Sequence, residues 1–161
     1  MLEVAKKTRR VPSLKTLVHA RVLRHDEAMA LTTLFFEDGE LRVPIINDAI
    51  GSVVRVRIEA RDVSIALSRP MDVSITNRLP GRISEIEYLT PPYVRVSFDL
   101  GKTSLQALVT KESILRLALE PGLSAWVMIK AVAISNGGIM PDHVPAPRPW
   151  PSARKTSREP T

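Results

Sequence analysis

The 161-residue sequence contains no cysteine. That absence removes disulfide frameworks, thiol nucleophiles and thiolate metal sites together. Histidine is scarce: His19, His25 and His143 are the only three, and no pair has metal-ligand spacing. Aromatic residues make up 4%, too few to build the stacking platforms of a single-strand nucleic-acid reader. No apolar run approaches the roughly 18 residues of a spanning helix. The basic opening, MLEVAKKTRRVPS, has no apolar stretch behind it, so a secretory signal is not expected. What is present is the ordinary mix of a globular chain, 44% hydrophobic and 25% charged.

The formal net charge of +6 is unevenly spread. Residues 1–15 hold Lys6, Lys7, Arg9, Arg10 and Lys15 against Glu3, a surplus of 4. Residues 135–161 hold Arg148, Arg154, Lys155 and Arg158 against Asp142 and Glu159, a surplus of 2. The 14 cations and 14 anions that remain leave the middle neutral. Nucleic-acid affinity comes from cations fixed along one face that displace phosphate counterions. Charge confined to two ends argues against specific nucleic-acid binding and for solvated termini.

The end from Ser135 is punctuated by Pro141, Pro145, Pro147, Pro149, Pro151 and Pro160, spacing that predicts an extended, disordered tail over 135–161. Residues 1–15 read as a frayed leader. Between them the pattern is strand. Val54, Val56, Ile58 and Ala60 alternate with polar neighbours at period two, as do Val94, Val96, Phe98 and Leu100. Further strands are predicted over 18–23, 31–36, 41–46, 81–86, 104–109 and 125–134. Pro44 cannot donate a ladder hydrogen bond, which puts its strand at an edge or a bulge. One helix is expected over 111–119, capped by Thr110 and stopped by Pro121-Gly122. The fold class is therefore all-β with one short helix, as small barrels of the oligonucleotide/oligosaccharide-binding kind.

The middle also looks duplicated. Ala20–Leu23 parallels Gly81–Ile86, the hairpin over 31–46 parallels that over 94–109, and Ile58 and Ala60 match Ile129 and Ala131. This divides the chain into a first barrel-like unit over 16–70 and a second over 71–134. Units of this size bury a modest fraction of their surface, so tandem packing and self-association into a dimer are expected.

Three features invite chemistry. Gly101-Lys102-Thr103 suggests a phosphate loop, but that motif needs glycine where Val96 stands and a helix where a strand follows; it is a hairpin turn. Thr110 and Ser113 begin the predicted helix and either hold an anion or simply cap it. Lys130 sits in an apolar run, WVMIKAVAI, where an ammonium reaches water, pairs with a carboxylate such as Glu85 or Glu87, or faces an anion. Its counterpart in the first unit is Glu59.

Taken together, Ser74-Ile75-Thr76-Asn77, Leu79-Pro80-Gly81-Arg82-Ile83, Leu108-Val109-Thr110 through Ser113, Leu119-Glu120-Pro121-Gly122 and Ile129-Lys130-Ala131-Val132 resemble the molybdate-binding Mop (TOBE) domain. The preceding stretch, with residues 20–26 and Arg57 through Leu67, is similar to the segment before Mop in the ATP-binding subunit of molybdate ABC transporters. The resemblance covers about residues 18–134. It implies a non-enzymatic regulatory domain, a homodimer of paired barrels holding molybdate or tungstate at subunit contacts, with no further cofactor. By the same resemblance, Ser74, Thr76 and Asn77 offer donors from one side of the pocket, and Thr110, Ser113 and Lys130 complete it from the other. It also implies a cytoplasmic protein, meeting the membrane through the transporter's ATP-binding and membrane subunits. Two departures stand out. Thr76 occupies the place of the arginine in the family's Ser-x-Arg-Asn, and the nucleotide-binding domain is absent before Met1, as in a detached domain, an excised piece or a truncated frame. A dimerisation module without ligand is the first alternative, and a single-stranded nucleic-acid binder the second.

Overall fold

The computed structural model describes residues 10–142. The first half contributes β1 (Lys15–Asp26), β2 (Leu31–Phe36), β3 (Gly39–Pro44), β4 (Val53–Glu59) and β5 (Val63–Ala66). The second contributes β6 (Asn77–Tyr88), β7 (Tyr93–Asp99), β8 (Ser104–Thr110), the helix α1 (Lys111–Leu117), β9 (Ser124–Ile129) and β10 (Ile139–Pro141). Single 3-10 turns occupy Ala60–Asp62, Ala131–Ala133 and Asn136–Gly138.

The strands form two five-stranded antiparallel sheets of matching layout, β10-β4-β1-β2-β3 and β5-β9-β6-β7-β8. The duplication read in the sequence is therefore a duplication of topology. In each sheet one 12-residue strand, β1 or β6, serves two partners in succession. A bulge makes this change of partner: pairing shifts between Val22 and Arg24 in β1, and between Ile83 and Glu85 in β6. An inserted residue increases local twist, which bends the long strand from one partner to the next. In the second sheet β5 and β8, its two edges, approach within 8 Å between Cα atoms, curling the sheet into a small barrel. The oligonucleotide-binding-type architecture is as expected.

The period-two pattern places Val54, Val56 and Ile58 in the core with Val94, Val96 and Phe98. One continuous apolar cluster runs through both sheets, including Val22, Leu34, Phe98, Val127 and Ile134. Pro44 ends β3, an edge strand, so its missing N–H costs the ladder nothing. Thr110 caps α1 by accepting a bond from the Ser113 N–H at 3.2 Å, and the helix closes at Ala118, whose φ of 51° is left-handed, before Pro121 is reached.

The chain segments and the sheets do not coincide. β5, inside the segment 16–70, pairs with β9 of the second sheet, Val63 opposite Ile129. β10, inside the segment read as tail, pairs with β4 of the first, Ile139 opposite Val56. The boundary at residue 70 thus divides the chain, while each half donates its last strand to the other. At the other end Lys15 already belongs to β1, and Leu14 accepts a 2.8 Å bond from the Ala60 N–H. The rest of the proline-rich end, with His143 and Trp150, and residues 1–9 of the basic leader lie outside the described residues.

The two halves are also joined tip to tip. Asp38, in the β2–β3 turn, accepts bonds from the backbone N–H groups of Lys102 at 2.9 Å and Thr103 at 2.6 Å in the β7–β8 turn. Gly101-Lys102-Thr103 does cradle an anion, the carboxylate of this chain's own Asp38. Burial pushes that carboxyl up, but the Lys102 and Thr103 N–H groups, the Thr103 hydroxyl and the nearby Lys102 ammonium outweigh it and hold it below its ordinary value. A lowered folded-state pKa stabilises the fold fully above the unfolded pKa of about 4, and the contribution fades as pH falls through the folded value. Asp38→Asn is expected to cost about 1 kcal/mol at pH 7, since the charge-assisted bonds become ordinary ones. The difference between the two proteins should shrink below pH 4 in urea melts; an equal difference at pH 7 and pH 3 would show that the charge contributes nothing.

Candidate functional site

The residues singled out from the sequence fall in two places. The first is the end of the β6–β9 ladder. Asn77 opens β6 opposite Ile129, the last residue of β9, and one further step of that register sets Thr76 opposite Lys130. Ser74 lies in the bend just before. The strand expected over 125–134 is shorter, and of the three surroundings open to the Lys130 ammonium it takes water. β9 stops at Ile129, and Lys130 leads into the 3-10 turn at Ala131–Ala133 that carries the chain toward the first sheet. Its ammonium is therefore exposed, and it has no ion-pair partner among the described residues. Glu85 and Glu87, the carboxylates weighed as its partners, are taken by Arg95 at 3.3 and 2.7 Å.

Glu59 holds the matching position in the first half. It precedes the 3-10 turn at Ala60–Asp62 with φ −80° and ψ 133°, close to the −62° and 135° of Lys130. The two backbones are alike and the two charges opposite. Glu59 pairs with Arg57 at 3.4 Å, while Lys130 faces solvent.

Asn77 differs from its neighbours. It is 3% exposed, and both ends of its amide are engaged with the β3 edge. Its Oδ1 accepts from the Arg42 N–H at 2.7 Å, and its Nδ2 donates to the Arg42 carbonyl at 2.9 Å. It mimics a paired strand and ties the start of β6 to the first sheet. A ligand beside Thr76 meets that rigid frame, since the amide's polar atoms already have partners.

The second place holds Thr110 and Ser113. They line an open depression of about 300 Å³ between β5, β8 and α1, which none of Ser74, Thr76, Asn77 and Lys130 reaches. The Thr110 hydroxyl accepts from the Ser113 N–H and donates to the Ser113 hydroxyl, each at 3.2 Å. Within one chain the six candidate residues therefore fall in two separate places. Among the described residues no group of three His, Asp or Glu side chains is placed to hold a metal ion. No helix among them is long and apolar enough to cross a membrane.

The family model for the TOBE domain matches residues 73–135. That stretch is similar to TOBE domains. All six candidate residues lie inside it. Curated relatives of the chain include the molybdenum import ATP-binding protein ModC of Albidiferax ferrireducens, 41% identical over 118 residues, covering 73% of this chain and 32% of that protein. ModC of Aromatoleum aromaticum is 38% identical, covering 73% and 31%, and ModC 1 of Azotobacter vinelandii is 40% identical, covering 73% and 33%. The chain spans about a third of the length of these relatives. The fold of ModG, a cytoplasmic molybdate-binding protein solved with molybdate bound, matches with a TM-score of 0.70 at 22% identity, covering 79% of this chain and 96% of that one.

Sequence reasoning left three residues without a role: Arg61 and Ser64, which precede the TOBE-like stretch, and Arg116, which lies within it. All three line the depression beside Thr110 and Ser113. Arg61 and Ser64 get there because the turn at Ala60–Asp62 and β5 cross to the second sheet. Arg116 follows Ser113 by three residues on α1, a spacing that keeps both on one side of a helix. That last spacing is visible in the sequence; the crossing is not.

Proposed function

We propose that this chain is a regulatory domain that binds molybdate or tungstate in the cytoplasm for an ABC-type importer, without catalysing a reaction itself. The observation that carries the proposal is the division of the candidate donors between two half-sites of one chain. The Ser74, Thr76 and Lys130 edge of one protomer meets the Thr110 and Ser113 depression of a second, so the oxyanion sits at the seam of a homodimer. A tetrahedral dianion is held by many neutral donors and few cations, and this donor set is mostly hydroxyls and backbone N–H groups. The similarity to ModC and ModG supports the choice of anion. Transporter ATP-binding and membrane subunits are the expected partners.

Lys130→Ala tests the reading. Calorimetry with sodium molybdate at neutral pH should show binding by the wild type and a loss of roughly tenfold or more in the variant, because a charge-assisted hydrogen bond contributes about 1.5–3 kcal/mol. Unchanged affinity removes Lys130 from the site. Native mass spectrometry with and without molybdate separates the ligand-free alternative: a dimer in both states with no bound oxyanion identifies a dimerisation module.

A further inference from the structure

Lys130 is the one cation of the proposed pocket, and a divalent anion held by one ammonium leaves a charge without a counterpart. The depression beside Thr110 supplies the remainder. Its lining includes two arginines, Arg61 and Arg116, and three hydroxyl-bearing residues, Ser64, Thr110 and Ser113. No aspartate or glutamate lines it. Neither arginine has an ion-pair partner among the described residues.

The space suits a small solute. At about 300 Å³ it has the volume of roughly ten waters at 30 Å³ each, enough for a tetrahedral oxyanion with part of its hydration shell. Aliphatic side chains of β8, β5 and the α1 region form the rest of its lining. Arg61 belongs to the Ala60–Asp62 turn, which packs against β8 and is continuous with β5. Arg116 is one turn along α1 from Ser113. The two approach from different elements, as a clamp needs.

We infer that Arg61 and Arg116 are oxyanion-binding residues, supplying from the Thr110 side of the seam the positive charge that Lys130 supplies from the other. The inference rests on the oxyanion reading above. It assigns ligand contacts to a turn and strand that precede the TOBE-like stretch, and it makes the preceding segment part of the site. Guanidinium forks suit paired oxygens of one tetrahedral anion better than an ammonium does. Charge alone is then insufficient, and Arg61→Lys should recover only part of what Arg61→Ala loses.

The test uses the full chain and sodium molybdate, titrated by calorimetry at one fixed salt concentration. Arg61→Ala and Arg116→Ala should each weaken binding about tenfold, and the double variant by more than either, with the dimer still seen by native mass spectrometry. Arg24→Ala, which removes an exposed cation from the first sheet, should leave affinity unchanged and so controls for net charge. Both arginines are exposed, so the variants should fold, which circular dichroism checks. Wild-type affinity in Arg61→Ala and Arg116→Ala overturns the inference while leaving the oxyanion reading intact. Absence of molybdate binding by the wild type overturns both.

Discussion

Asn77→Ala should lower the melting temperature by roughly 6–9 °C, the shift expected for about 2–3 kcal/mol in a chain of this size. The substitution removes little apolar surface. It leaves the outward N–H and C=O of Arg42, on the exposed edge of β3, without their amide partner. Each buried backbone group left unpaired costs about 1–3 kcal/mol, and water reaching the edge recovers part of it. The amide also fixes the beginning of β6, so Thr76 and Lys130 lose their register with it. Differential scanning calorimetry reads the effect directly. A melting temperature within 1 °C of wild type would mean that β3 is held by its apolar contacts alone.

Ending the chain after Ser135 should be more damaging. The missing piece includes β10, whose Ile139 is 8% exposed and packs in the common core. Burying such a side chain contributes about 1.5–3 kcal/mol. Asp142, just beyond, donates its N–H to the Val53 carbonyl at 3.0 Å, and its carboxylate meets His19 at 2.7 Å. Loss of about 3–4 kcal/mol is expected, with a melting temperature some 10 °C lower. The truncation also uncovers the edge of β4 at Val54, Arg55 and Val56, and an open strand edge templates association. The mass read by light scattering should therefore climb beyond a dimer with concentration in the truncated chain and not in the full one. A truncated chain that melts like the wild type would show that β10 rests on the sheet without supporting it.

The contrast between β4 and β10 shows what the sequence reveals and what it hides. Val53–Glu59 announces itself because alternate residues must face opposite ways on a pleated strand. The same logic finds β7, and the repeat of both patterns exposes the duplication. α1 is legible from Thr110, although its end is not, because Ala118 turns left-handed where proline seemed the obvious stop. β5 and β10 carry no such signal. Val63–Ala66 is four residues long, and Ile139–Pro141 is three within a proline-rich stretch. Their partners lie tens of residues away, and only the assembled sheets make them strands. The candidate site shares this division. Thr110, Ser113 and Lys130 stand out locally, whereas Arg61 gains its neighbours from the crossing at Ala60–Asp62. Lys130 stands out because it interrupts an apolar run, and its ammonium takes the solvent because β9 ends at Ile129 and a 3-10 turn follows.

The reciprocal placing of β5 and β10 has a mechanical consequence. Two lobes joined by one connector can swing about it, and whatever one senses is blunted by the hinge. Here each lobe is laced to its neighbour by a terminal strand and an aspartate at the turn tips. Bending at the connector would tear a ladder on both sides at once. A push delivered at one extremity of the pair therefore reaches the far extremity as displacement of a stiff lever.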